Sequence, residues 1–203
     1  NDATLTAVEA VGYTSVSAGG NAALTAGSSI TGGAVNAGMD AMLDAGTSIT
    51  STDIAAGTDA TLTAGEAISY ASVDAGNDAA LTAGTSIAGG TVDAGNDASL
   101  TAGTSITATD VTVGNDAMLD AMAAIEYASV DAGNDATLNA GSSIDGGAVD
   151  AGNNASLTAG TSITSTDITS GNDAALNAME AITFASIDAG NDATVAAGSS
   201  VDG

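Results

Sequence analysis

The stretch DAGNDASLTAGTSITATDV, residues 93–111, is one turn of a pattern that fills the chain. Its Leu100 stands nineteen residues after Leu81 and nineteen before Leu119. The full register is Leu5, Leu24, Leu43, Leu62, Leu81, Leu100, Leu119, Leu138, Leu157, Leu176 and Val195, with no insertion anywhere. Ala flanks each of these two residues before and two after, as Ala98 and Ala102 flank Leu100. Six residues on comes Ile or Val, as at Ile87, Ile106 and Ile125. Eleven residues on comes a second β-branched residue, as at Val92 and Val111. A Gly precedes each register residue by five from Leu24 onward.

Ala-x-Leu-x-Ala alternates with period two, which puts all three apolar residues on one face of a strand. Gly, Asn, Asp and Ser separate the apolar segments, as turns require. A helical reading would bury many Gly and Thr in helix interiors, where each is unfavourable relative to Ala. The sequence therefore predicts an all-β chain: a single-stranded β-solenoid, or β-helix, of nineteen-residue coils. Three short strands per coil are expected, around Leu, Ile and Val. Corners fall near Ala-Gly, between Ile and Val, and near Gly-Asn-Asp. A lone coil leaves its strand edges unpaired, so its stability must come from its neighbours. Residues 1–203 read as one array. Both ends lie mid-repeat and neither resembles a cap, which predicts a fragment of a longer array or a unit of a filament.

A second period lies on the first. Tyr13, Tyr70, Tyr127 and Phe184 are the only aromatics and are spaced by fifty-seven residues, or three coils. The coil after each of the first three carries Gly-Gly at the matching place: Gly32-Gly33, Gly89-Gly90 and Gly146-Gly147. The third coil carries Thr-Asp close by, at Thr52-Asp53, Thr109-Asp110 and Thr166-Asp167. All four Glu (Glu9, Glu66, Glu126, Glu180) belong to aromatic coils. Three coils make a unit of about 14 Å along the axis.

Composition excludes several roles. The chain has no Lys, Arg, His, Cys, Trp or Pro, and its 25 acidic residues give a formal net charge of −25. No side chain neutralises a phosphate, so nucleic acid is not an expected partner, nor is an anionic membrane surface. No apolar run is long enough to insert into a membrane. Disulfides and thiolate metal sites are impossible without Cys. The chain opens at Asn1 rather than Met, so a targeting segment is expected upstream.

The phrase Asp-Ala-Thr-Leu-Thr-Ala-Gly, complete at Asp59–Gly65 and partial at residues 2–7, resembles the haemagglutinin repeats of filamentous-haemagglutinin-type adhesins. The resemblance runs along the whole chain. It implies a right-handed β-helix, secretion through a partner outer-membrane pore, and a long stalk at the cell surface or outside the cell. Partners implied are the chain itself, end to end or side by side, and another cell surface. The chain departs from that family in having no Lys or Gln and no irregular coil.

Four features are candidate sites. The Gly-Asn-Asp corner stacks carboxylates, Asp59, Asp78, Asp97, Asp116 and Asp135 among them. At about 4.8 Å, each adjacent pair repels by about 1 kcal/mol in water. Calcium would relieve this through oxygen ligands, and it is the one candidate cofactor. The plainer reading is that Asn takes a left-handed corner and Asp bonds nearby backbone N–H groups. Thr61-Leu62-Thr63 has the outward Thr-x-Thr of ice-binding solenoids, yet Met42, Asp44, Met118 and Asp120 interrupt the rows. Paired carboxylates alone can cleave glycosides. With no irregular loop to form a groove and no His, Cys, Lys or Arg, no catalytic residue and no enzyme activity are expected. The aromatic row Tyr13, Tyr70, Tyr127 and Phe184 reads in two ways. The rings cover the Gly-Gly corner of the next coil, or they form a ridge contacting a neighbouring chain. The long period favours the second reading, because packing inside one solenoid calls only for nineteen residues.

Overall fold

The computed structural model describes residues 1–203 and contains no helix. The chain winds into a β-solenoid of about eleven turns whose strands all pair in parallel, each with the equivalent strand of the next coil. One sheet has eleven strands, each the five-residue Ala-x-Leu-x-Ala segment, from Ala3–Ala7 to Ala193–Ala197. The other has twelve strands and carries the Ile and Val segments.

Register follows the nineteen-residue step. Leu81 pairs with Leu62 and Leu100, Ile87 with Ile68 and Ile106, and Val92 with Val73 and Val111. Leu100 and Ile106 have no exposed surface, and Val92 has almost none. Together with the flanking Ala they form one continuous core between the sheets. A one-residue slip would turn the leucines outward, so burial holds the register.

Three strands per coil were expected; the structure has two in most coils. A five-residue strand such as Ala79–Ala83 is followed by a nine-residue strand, Ser86–Ala94, carrying both Ile87 and Val92. The reason lies in the odd spacing of Ile and Val. Five residues apart, both point inward only if the chain bends once between them. The bend stays hydrogen-bonded: the N–H groups of Ala71 and Ser72 both donate to the Thr52 carbonyl, at 2.8 and 3.1 Å. Pairing skips only Ala71 and Gly90, between Gly89↔Tyr70 and Thr91↔Ser72. Between these two coils the ladder passes through the corner, whereas three positions go unpaired between Asp145↔Thr164 and Val149↔Ile168. Only in the coil beginning at Ala41 does the strand itself divide, into Ile49–Thr50 and Asp53–Ala56, and there the Thr52 carbonyl in the gap still accepts from the next coil.

No residue has a positive φ, so the corner Asn is not left-handed, contrary to expectation. Gly is used at the corners for close approach instead. A Cβ on Gly76 would strike the Gly57 carbonyl oxygen below it, and one on Gly84 would strike that of Gly65. Met122 takes the second kind of corner, and its N–H reaches the Ala102 carbonyl at 3.3 Å, against 3.0 Å for Gly103 to Ala83.

Candidate interaction sites

Tyr13, Tyr70 and Tyr127 stand two residues after the inward Val or Ile, on the core side of the second strand. Tyr70 and Tyr127 are only 6% and 7% exposed. Each ring leans along the solenoid axis onto the next coil. A Cβ on Gly32, Gly89 or Gly146 would clash with the ring face of Tyr13, Tyr70 or Tyr127 respectively, and one on Gly203 would clash with the ring of Phe184. Those glycines are the holes the rings fill.

The hydroxyl reaches one coil further. Tyr13 meets Ser51 Oγ at 2.8 Å and Tyr127 meets Ser165 Oγ at 3.3 Å, in each case thirty-eight residues away. Each serine donates its own proton to a glycine carbonyl, Gly33 or Gly147, at 2.7 Å. A hydroxyl has one proton, so the tyrosine is the donor to the serine. Ser51 and Ser165 are buried. At Tyr70 the equivalent residue is Ala108, and the Tyr70 hydroxyl is buried with no partner. Burial pushes the Tyr70 phenol far above its usual value. Burial also raises Tyr13 and Tyr127, and their serine bonds act in the opposite direction; the Asp145 charge adds to the rise at Tyr127.

The fifty-seven-residue period therefore has a cause inside one chain: ring, glycine, then a small residue over three coils, the small residue being a serine that takes the hydroxyl in two of the three tyrosine units. The ridge expected to contact another chain is not at the surface for Tyr70 and Tyr127. The serines are the part that sequence reasoning missed. Their one signal is that a small residue, Ser51, Ala108 or Ser165, follows each tyrosine at two coils' distance.

The unit also has an outer mark. Asp53, Asp110 and Asp167 of the third coils accept hydrogen bonds from Ser72, Ser129 and Ser186 of the following aromatic coils, at 2.9, 2.7 and 2.6 Å. This accounts for the Asp of the third coil. Glu126 and Asp145 are register neighbours and line a shallow groove of about 420 Å³ with Tyr127.

At the Gly-Asn-Asp corner the carboxylates form a ladder to the next coil. Asp59 Oδ1 accepts from Asn77 Nδ2 at 2.8 Å and from the Asp78 N–H at 3.2 Å. Asp78, Asp97 and Asp116 repeat the pair of bonds. Asp135 accepts from Asn153 at 2.9 Å and twice from Asn154, at 3.0 Å. Backbone bonding by Asp, one of the expected roles, is thus present, but it crosses between coils. No group of three or more acidic side chains comes together in a way that could hold a metal ion. Thr61 and Thr63 point outward from the eleven-strand sheet, in rows that Met42, Asp44, Met118 and Asp120 interrupt.

No family model matches this chain, and neither a curated protein nor a solved structure matches it.

Proposed function

We propose that this chain is a structural stalk: a rigid rod of stacked β-coils in an extracellular or cell-surface fibre of the adhesin type. The observation that carries the proposal is the unbroken register from Ala3 to Asp202, with every coil the same length. Ten axial steps of about 4.8 Å make a rod about 48 Å long. Each coil is held by its neighbours rather than by a central nucleus, so length can grow by repetition. A rod of this kind spaces whatever is attached to it. The resemblance to haemagglutinin repeats supports the extracellular setting, and the absence of Lys and Arg removes the points at which trypsin-like proteases would cut an exposed fibre. In this reading the carboxylate corner keeps the rod soluble, and the partners are further copies of the chain and an opposing cell surface.

Electron microscopy of the native assembly tests the reading. Unbranched filaments with coil spacing near 4.8 Å and a three-coil repeat near 14 Å are expected. Compact globular particles would overturn it.

A further inference from the structure

The acidic residues are not spread evenly around the rod. Twelve of the 25 stand at the two corners of each coil and eleven on the outward rows of the twelve-strand sheet. The outward rows of the eleven-strand sheet hold two, Asp44 and Asp120. The other twenty outward positions on that sheet are Thr, Ser, Ala, Asn and two Met, with Met42 51% and Met118 42% exposed. The burial of its strands alternates strictly, with the leucine side in and this side out. Nothing in the chain covers it.

We infer that this face pairs with the same face of a second copy of the chain. Three observations choose that occupant. First, charge: a partner carrying −25 is repelled from every other side of the rod, and this is the one face on which two copies meet with few carboxylates. A basic partner would prefer the acidic sides. Second, area: eleven strands at about 4.8 Å by five residues at about 3.3 Å give roughly 870 Å² per copy. That is close to the share of about 800 Å² each partner contributes to a standard stable interface. Third, shape: identical five-residue strands in register, with no bulge, make a surface that repeats at the same step in both copies, as sheet-on-sheet packing needs. The methionines are the large apolar groups on it and adapt to what faces them. The inference rests on the stalk reading for its setting: it makes the stalk a pair of solenoids laid side by side.

Analytical ultracentrifugation of the full chain across a salt series tests it. Dimers are expected, and added NaCl should strengthen them by screening the remaining charge. The triple variant Thr63→Glu, Thr82→Glu, Thr101→Glu should weaken association at least about tenfold, since like charges would then face each other. The control triple Ser69→Glu, Thr107→Glu, Thr164→Glu adds the same charge to the other sheet and should dimerise within about twofold of wild type. A wild-type chain that stays monomeric at about 1 mM in high salt, or equal weakening by both triples, would overturn the inference. If circular dichroism shows the face variant unfolded, Thr82→Cys replaces it. That variant should form covalent dimers under oxidation while Thr164→Cys does not; the reverse would overturn the pairing. Pairing without filaments in the microscope would sink the stalk reading and leave this one standing. Filaments one solenoid wide would do the opposite.

Discussion

The unit built on Tyr127 and the unit built on Tyr70 differ at one residue that matters. Both rings lie on a glycine of the next coil, Gly146 or Gly89, and both are equally buried. Only Tyr127 finds a hydroxyl partner, because Ser165 stands where the other unit has Ala108. The ring covers the same glycine position with or without the hydrogen bond, Tyr127 with its Cδ1–Cε1–Cζ edge and Tyr70 with its Cε1–Cζ–Cε2 end. Shape and apolar burial therefore position the aromatic, and the hydroxyl chain adds stability to a geometry already set.

The largest effect should come from the ring itself. Tyr127→Ala removes a buried aromatic and should cost about 3–5 kcal/mol in denaturant melting. Gly146→Ala forces a methyl into the ring and should cost about 1–3 kcal/mol. The two changes should be strongly non-additive: in a Tyr127→Ala background, Gly146→Ala should cost almost nothing. Additive costs would mean that ring and glycine do not share one space.

The hydroxyl comparison comes next, and its sign is the test. Tyr127→Phe should destabilise by about 1 kcal/mol, since it leaves Ser165 with one bond fewer. Tyr70→Phe removes an unpartnered buried hydroxyl and should be neutral or stabilising. Ala108→Ser should supply the missing partner and stabilise by about 1 kcal/mol. Equal effects of the two Phe substitutions would contradict the difference between the units.

Alkaline titration sharpens the same contrast. All three tyrosines have a folded-state pKa raised above the unfolded value, Tyr70 the most. Their contribution to stability is full below about pH 10, the unfolded phenol value. It is lost progressively as pH rises beyond that towards the folded values. Phenolate absorbance should show half-buried Tyr13 ionising first and Tyr70 only with unfolding. Early, reversible ionisation of Tyr70 in the folded protein would place its ring in water.

The smallest effect concerns the corner. Asn154 already occupies the Asp row and accepts the Asp173 N–H at 3.3 Å. Asp97→Asn should therefore change melting by less than about 1 kcal/mol. Melting with EDTA against millimolar calcium, at fixed ionic strength, should differ little. A large rise specific to calcium would give the carboxylate row a metal-binding role.

Much of this was legible in the residues. Leu100, Ile106, Val111 and their equivalents point to the coil, its core and its register, because burial on one face leaves a period that no tertiary context erases. The number of strands was not legible. Whether the chain stays hydrogen-bonded through the bend at Ala71 depends on the coil below, not on Ala71 itself. The aromatic row misled for a related reason. The reading in which each ring covers the glycine pair of the next coil holds at Gly146, but Ser165, thirty-eight residues from Tyr127, was not foreseen, because a nineteen-residue alignment places it as a variant of the tyrosine rather than as its neighbour. The methionines of the eleven-strand sheet, Met42 and Met118, read as interruptions of a threonine row; only the distribution of charge around the folded rod marks their face as distinct.

The central claim is that the three-coil period is an internal packing unit, and isotope-filtered NMR on a mixture of labelled and unlabelled chains tests it most directly. Ring protons of Tyr70 and Tyr127 should show contacts to the α-protons of Gly89 and Gly146 within the labelled chain, independent of protein concentration. Contacts from those rings to the unlabelled chain, growing with concentration, would contradict the account and return the aromatic row to an interface between molecules.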